Sequence, residues 1–263
     1  MSNNLPNPRT FGSFKAELSK TIKFDKDTKY DLNKIYDSLK SNPIPSGYIS
    51  KLIDLQILEH NPRAKEILKD FICYSKLDDS IAIVLKDKEE IKAITINRAK
   101  NKDGNLIKWK TYGSKKYIQY KIKDDFVFCV YGMAEVLLCE LFELSYIAFQ
   151  SDSIALNLDN HKQWIEEVKQ VIQDKYVVLL LDNDDSCRKT INPIRKQMSN
   201  PESVISIEMD NLHYMKALLY GGTVTNLPKG YDLRDFFNEI KDPEKIEQIL
   251  RETIKAELWT LMI

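Results

Sequence analysis

The chain has 263 residues, 43% of them hydrophobic and 30% charged, with 39 basic side chains matched by 39 acidic ones. This composition excludes a disordered polymer, leaves room for more than one structural unit, and gives no whole-chain charge bias toward nucleic acid. No apolar run approaches the ~18 residues of a membrane span, and Met1 to Arg9 is polar with no apolar signal region, so a cytoplasmic protein without a membrane partner is expected.

Residues 1–79 are expected to form a helical N-terminal unit. After a polar lead-in, Leu32, Ile35, Tyr36 and Leu39 follow helical spacing, and the chain breaks at Asn42 to Gly47. A second helix is expected through Leu52, Ile53, Leu55 and Ile57, and a third from Pro62 to about Tyr74 with Ile67, Leu68, Phe71 and Ile72 on one side. Residues 80–124 change pattern. Ile81 to Leu85 and Ile91 to Ile96 are short β-rich stretches, a further pair flanks Tyr112-Gly113-Ser114, and Lys102-Asp103-Gly104-Asn105 reads as a hairpin turn, so a small antiparallel sheet is expected. From Arg98 to Lys123 it is also basic: Arg98, Lys100, Lys102, Lys108, Lys110, Lys115, Lys116, Lys121 and Lys123 stand against the single acid Asp103. The plain alternative is a lysine-rich solvated face.

Residues 125–242 alternate strand and helix: strands at Phe126 to Tyr131, Tyr146 to Phe149, Val177 to Leu181 and Val204 to Met209, helices at Met133 to Leu144, His161 to Gln173 and Cys187 to Met198. That order predicts an α/β unit with a mainly parallel sheet and crossover helices, whose functional groups gather at the carboxyl ends of the strands. Residues 243–263, with Ile246, Ile249, Leu250, Ile254, Leu258 and Leu261 at helical spacing, are expected to form a C-terminal helix that docks within the chain. A replicative helicase is the alternative partner for that helix. Cys73, Cys129, Cys139 and Cys187 form no C-x-x-C pair and His60, His161 and His213 are isolated, which argues against a zinc ribbon. Cys129 and Cys139 read as small apolar core residues.

The chemistry is expected where the apolar strand 177–181 runs directly into Asp182-Asn183-Asp184-Asp185. Two acids at i and i+2 on extended backbone point to one side, so Asp182 and Asp184 can share one hard cation, Mg²⁺ or Mn²⁺. Clustered carboxylates repel unless a cation is present. An acid at this point also caps the following helix, a role expected for Asp185 or Ser186. An apolar strand ending in Asp is also how a Walker B segment reads, but no G-x-x-x-x-G-K-[ST] occurs in the chain.

The stretch Leu179-Leu180-Leu181-Asp182-Asn183-Asp184-Asp185-Ser186-Cys187-Arg188-Lys189 resembles the D-x-D motif of the Toprim domain, shared by bacterial-type DNA primases, topoisomerases and some nucleases. Val130-Tyr131-Gly132-Met133-Ala134-Glu135 stands where that family has its strand-ending E-G motif. Lys229-Gly230-Tyr231-Asp232-Leu233-Arg234-Asp235-Phe236 resembles the K-G-x-D-x-x-D segment that follows the Toprim core in phage and plasmid primases. Lys108-Trp109-Lys110 followed by Gly113-Ser114-Lys115-Lys116-Tyr117 resembles the basic strand region before it. The resemblance covers about residues 80–240 and favours the primase branch.

The resemblance implies a Toprim-like catalytic domain and a DNA primase-like nucleotidyltransferase acting on a single-stranded DNA template and nucleoside triphosphates. Its metal and catalytic set would be Asp182, Asp184 and Glu135, with Asp232 and Asp235 as further acidic candidates. Arg98, Lys108, Lys110, Lys115 and Lys116 would neutralise phosphates, Trp109 or Tyr112 would stack a base, and Arg188 and Lys189 would help place a phosphate. Trp109 reads equally well as a sheet core residue, and Arg188 and Lys189 as ordinary surface bases. The family's usual glutamate is Tyr131 here. Two outcomes therefore stay open: Glu135 completes the site from the following helix, or activity is weakened or lost. The alternatives to a primase are a Toprim nuclease that cuts DNA phosphodiesters and a catalytically degenerate Toprim protein that binds DNA or a replication partner.

Overall fold

The computed structural model describes residues 18–23, 30–45, 47, 61, 63–87, 90–97, 104–105, 107, 109–114, 117–160 and 167–260. The expected helix at 52–57 and the bases Arg98, Lys108, Lys115 and Lys116 lie outside these residues, as do residues 161–166 of the helix expected from His161.

The elements run β1 (Leu18–Lys23), α1 (Leu32–Lys40), α2 (Ala64–Phe71), β2 (Ile72–Ser75), β3 (Ser80–Asp87), β4 (Glu90–Asn97), β5 (Trp109–Gly113), β6 (Tyr117–Ile122) and β7 (Phe126–Tyr131). They continue with α3 (Met133–Leu141), β8 (Tyr146–Phe149), α4 (Asp152–Leu156), α5 (Lys169–Ile172), β9 (Tyr176–Leu181), α6 (Asp185–Arg188), α7 (Ile191–Gln197), β10 (Val204–Glu208), α8 (Met209–Tyr220), α9 (Leu233–Ile240) and α10 (Pro243–Thr260). Among the described residues no helix is long and apolar enough to cross a membrane.

The strands form two sheets, one ordered β1-β6-β8-β7-β9-β10 and the other β2-β3-β4-β5. In the larger sheet β8, β7, β9 and β10 are parallel, while β6 and β1 extend it antiparallel. The architecture is therefore mixed α/β, with a parallel centre. The parallel strands are apolar along their length because both faces are covered. Phe126, Phe128, Val130, Val178 and Leu180 face a core shared with α3, α9 and α10, whereas Val127, Cys129, Val177, Leu179 and Leu181 face a second core with α4 and α7. Each such fully buried side chain contributes roughly 1.5–3 kcal/mol.

The sequence boundaries differ from the sheets in three places. The 1–79 segment is not purely helical: β1 pairs with β6 at one edge of the large sheet, and β2 pairs with β3 in the small one. Strand β6, expected in the small antiparallel sheet, belongs to the large one, so the sheets part between Gly113 and Tyr117 rather than at 124. The helix expected over Cys187 to Met198 is two, α6 and α7. Pro193 has no N–H to donate, and its ring clashes with the carbonyl of Lys189 in a continuous helix, which breaks the chain at Lys189–Thr190.

Candidate metal site

At the carboxyl end of the parallel centre, β7 and β9 are direct neighbours, paired from Phe126↔Tyr176 to Cys129↔Leu179. Tyr131 and Asp182 thus leave the sheet side by side. There a cleft of about 450 Å³ opens, bounded by Glu135, Asp152, Asp182, Asp184 and Asp232, and on the far side by Ile83, Thr95 and Thr111 of the small sheet. Those last three are register partners across β3, β4 and β5, so they form one row on one face, and Thr95 and Thr111 join Oγ1 to Oγ1 at 3.2 Å.

Asp182 and Asp184 meet as their i, i+2 spacing requires, but their roles differ. Asp184 is the N-cap of α6: its Oδ1 accepts from Cys187 N–H at 2.8 Å, the role expected for Asp185 or Ser186. Its backbone N–H donates to Asp182 O at 2.6 Å, a tight turn that folds the two acids together. Asp182 Oδ2 accepts from the Cys187 thiol at 3.6 Å. One ligand atom from each of Asp182, Asp184 and Cys187 lies within 4.8 Å of the others.

Glu135 reaches this cleft from the first turn of α3. The Gly132 backbone before it has φ +93°, and a Cβ there would sit 3.2 Å from Glu135 Oε2. Glycine therefore serves both the turn off β7 and the close approach of the carboxylate. Burial first, and then the charges of Asp232 and Asp182, push the Glu135 carboxyl up to about 8. Burial, Asp232 and Asp184 push Asp182 up to about 7, against the opposing pull of the Cys187 thiol. Asp232 is also raised, by burial, although Arg234 and the Asp235 N–H act against the shift.

Asp232 enters at the N-terminus of α9 in a capping box, accepting from Asp235 N–H at 3.0 Å while Asp235 Oδ2 accepts from Asp232 N–H at 3.2 Å. Of these two acidic candidates, Asp232 lines the cleft and Asp235 serves the cap. Arg234 binds Asp232 Oδ2 at 2.9 Å and also lines the cleft.

Tyr131 also lines the cleft, but its ring and hydroxyl are engaged in packing. It stacks on Phe149, and its hydroxyl meets Thr190 Oγ1 at 2.6 Å. Because the Thr190 proton goes to Cys187 O, Tyr131 is the donor in that bond.

The expected bases are distributed differently. Lys110 and Tyr112 lie on the β5 face opposite Thr111, and Lys110 Nζ sits 5.2 Å from the Tyr112 ring centroid and 3.9 Å from Asp78. Trp109 begins β5 opposite Asn97. Arg188 is engaged by Glu208 at 2.9 Å, Asp185 at 3.6 Å and Asn183 Oδ1 at 3.3 Å. Lys189 is exposed at the α6–α7 break.

Two charged cleft residues escaped the sequence reading. Asp152 follows the parallel strand β8 and accepts from the Ser186 hydroxyl. Its position just past a parallel strand end was the available signal. Arg234 sits inside the K-G-Y-D-L-R-D segment but carried no assigned role.

The arrangement suits a hard divalent cation. Among the described residues lining the cleft, five carboxylates face one guanidinium. Burial and the neighbouring carboxylates, only partly opposed by Arg234, raise Glu135 to about 8 and Asp182 to about 7, so both hold protons more readily than ordinary carboxyls while no cation is present. Asp184 spends Oδ1 on its cap, leaving Oδ2 for a ligand. Cys187 is a softer donor, and burial and the adjoining acids hold its thiol protonated.

The sequence matches no protein-family model and no curated protein. Among solved structures, the primase fragment of the bacteriophage T7 primase-helicase protein aligns over 73% of this chain and 72% of its own, at 15% identity and a TM-score of 0.44.

Proposed function

We propose that this protein is a Toprim-type, metal-dependent enzyme of phosphoryl transfer on nucleic acid, and that it is a DNA primase-like nucleotidyltransferase using a single-stranded template and nucleoside triphosphates. The observation that carries this reading is the convergence of Asp182, Asp184, Glu135 and Asp232 on one cleft at the ends of adjacent parallel strands. The D-x-D, E-G-like and K-G-x-D-x-x-D segments supply three of the elements that meet there, in the order of the primase branch.

Asp182 and Asp184 would hold Mg²⁺ or Mn²⁺, with Glu135 and Asp232 closing the set. When bound, the cation supplies Lewis-acid neutralisation of phosphate charge. Glu135, raised to about 8, is able to exchange a proton near neutral pH even while Asp182 is committed to the cation. Arg234 holds Asp232 toward the cleft, and the Thr95 and Thr111 hydroxyls offer neutral hydrogen bonds from the opposite wall. Within this reading the basic residues Arg98, Lys108, Lys115 and Lys116 serve the template, and a replicative helicase is a candidate partner.

A second reading rests on Tyr131. Its hydroxyl is taken by Thr190 at the point where the family offers a glutamate, which favours a site that binds metal and DNA without turnover. Incubating the protein with Mn²⁺, single-stranded DNA and labelled nucleotides separates the readings. Labelled oligonucleotides support a primase, shortened template a nuclease, and Mn²⁺-dependent DNA binding with neither product the second reading.

A further inference from the structure

Asn183 lies between the two aspartates, yet it does not line the cleft. Its polar atoms go the other way. The Asn183 N–H donates to Tyr231 O at 2.8 Å, and its carbonyl accepts from Gly230 N–H at 2.9 Å. Its Nδ2 donates to the carbonyls of Leu227 at 3.1 Å and Pro228 at 3.0 Å. Asn183 Oδ1 accepts from Arg188, itself held by Glu208, and this fixes which side of the amide faces the segment.

The segment it grips has no other regular structure. Residues 221–230 form neither helix nor strand, and all but Leu227 are exposed. Gly230, at φ +77°, makes the turn that aims its N–H at Asn183. Asp232 follows one residue after the last of these bonds. The D-x-D residue that does not line the cleft is therefore the one that ties down the segment leading to the third acid.

We propose that Asn183 is a positioning residue that docks 227–231 onto the end of β9 and so delivers Asp232 and Arg234 to the cleft. The inference rests on the cleft being the metal site. Chemistry restricts the choice at this position. Alanine removes both side-chain donors, and aspartate sets a carboxylate against two carbonyl oxygens. Neither change removes the other anchors of the segment, which include the backbone bonds of residue 183 to Tyr231 and Gly230, the Tyr231 hydroxyl on Glu239 at 2.7 Å and the buried Leu233, Phe236 and Phe237 of α9. The chain is accordingly expected to fold with Asn183 replaced.

Two measurements on the full chain test this. Hydrogen exchange of Asn183→Ala is expected to speed the Gly230 amide by about tenfold or more while amides inside β9 keep their wild-type protection. In Mn²⁺ titrations Asn183→Ala and Asp232→Ala are each expected to weaken binding by about tenfold or more, the order seen when groups supporting a ligand are lost, and the double variant to be no weaker than Asp232→Ala alone. Unchanged exchange at Gly230 overturns the inference. So does an Asn183→Ala effect that persists undiminished in the Asp232→Ala background. Wild-type protein that binds no Mn²⁺ refutes the proposed function instead, and exchange at Gly230 still decides for or against the docking role.

Discussion

Replacing Asp182 by Asn should make the metal-free protein more stable and remove its response to metal. Asp182 carries a carboxyl raised from 3.8 to about 7, chiefly by burial and by Asp232. At ~1.4 kcal/mol for each tenfold change in acidity, that sets an upper bound of about 4 kcal/mol for keeping it charged. Partial exposure and ionic screening reduce this to on the order of 1–2 kcal/mol. The Asn oxygen still accepts from the Cys187 thiol, so the packing around α6 is kept. For a chain of this size, ~2–4 °C per kcal/mol gives a rise in melting temperature of about 2–8 °C at pH 8.5 in EDTA. Wild-type protein should gain a comparable or larger amount from Mg²⁺, since ligand at 100 times its Kd adds ~2.7 kcal/mol. Thermal unfolding of both proteins with EDTA and with Mg²⁺ is the assay. A variant that melts lower than wild type in EDTA, or that keeps the full Mg²⁺ shift, would refute the reasoning.

The raised carboxyls also set a pH dependence. A carboxyl with a folded value above its unfolded one contributes stability that is fully present below the unfolded value, so metal-free stability should decline from about pH 4 to about pH 8, the window of Asp182 and Glu135, and denaturant titrations across it check this. Mn²⁺ affinity should rise across the upper part of the same window as protons leave the site, read by calorimetry in buffers of different ionisation enthalpy. Glu135→Gln should abolish turnover while leaving the melting temperature in EDTA equal to or above wild type. Tyr131→Phe should lower stability by about 1 kcal/mol through loss of the bond to Thr190 and leave Mn²⁺ affinity unchanged, which would show its hydroxyl to be structural. Changing Lys108, Lys115 and Lys116 together to Ala should weaken DNA binding and flatten its salt dependence, and an unchanged salt slope would return them to a solvated face.

The centre of the site was legible because its signals are local. Five apolar residues ending in Asp182 and Asp184 imply both the buried strand and the shared side of the two acids, and the alternation around them implies the parallel neighbours. What was not legible depended on register or on distant pairing. Alternation along β5 separates Lys110 from Thr111, but the sequence does not say which of the two faces the acids. The pairing of β1 with β6 joins residues about a hundred positions apart, and nothing within the polar stretch Leu18–Lys23 announces it. Helix α8 was missed because apolar side chains lie all round it: Met209, Leu212 and Met215 are buried while Tyr214 and Leu218 are exposed. Asp184 in place of Asp185 as the cap follows from a turn one residue tighter than the apolar pattern implies.

The central claim is that the carboxylates gathered around Asp182 hold a divalent cation. Direct titration of the full chain with Mn²⁺, followed by electron paramagnetic resonance of the free ion, tests it without requiring a substrate. Saturable binding at pH 8 that is lost in Asp182→Asn and weakened in Glu135→Gln and Asp232→Ala is the predicted result. Absence of binding in the wild type, or binding that survives Asp182→Asn undiminished, would contradict it.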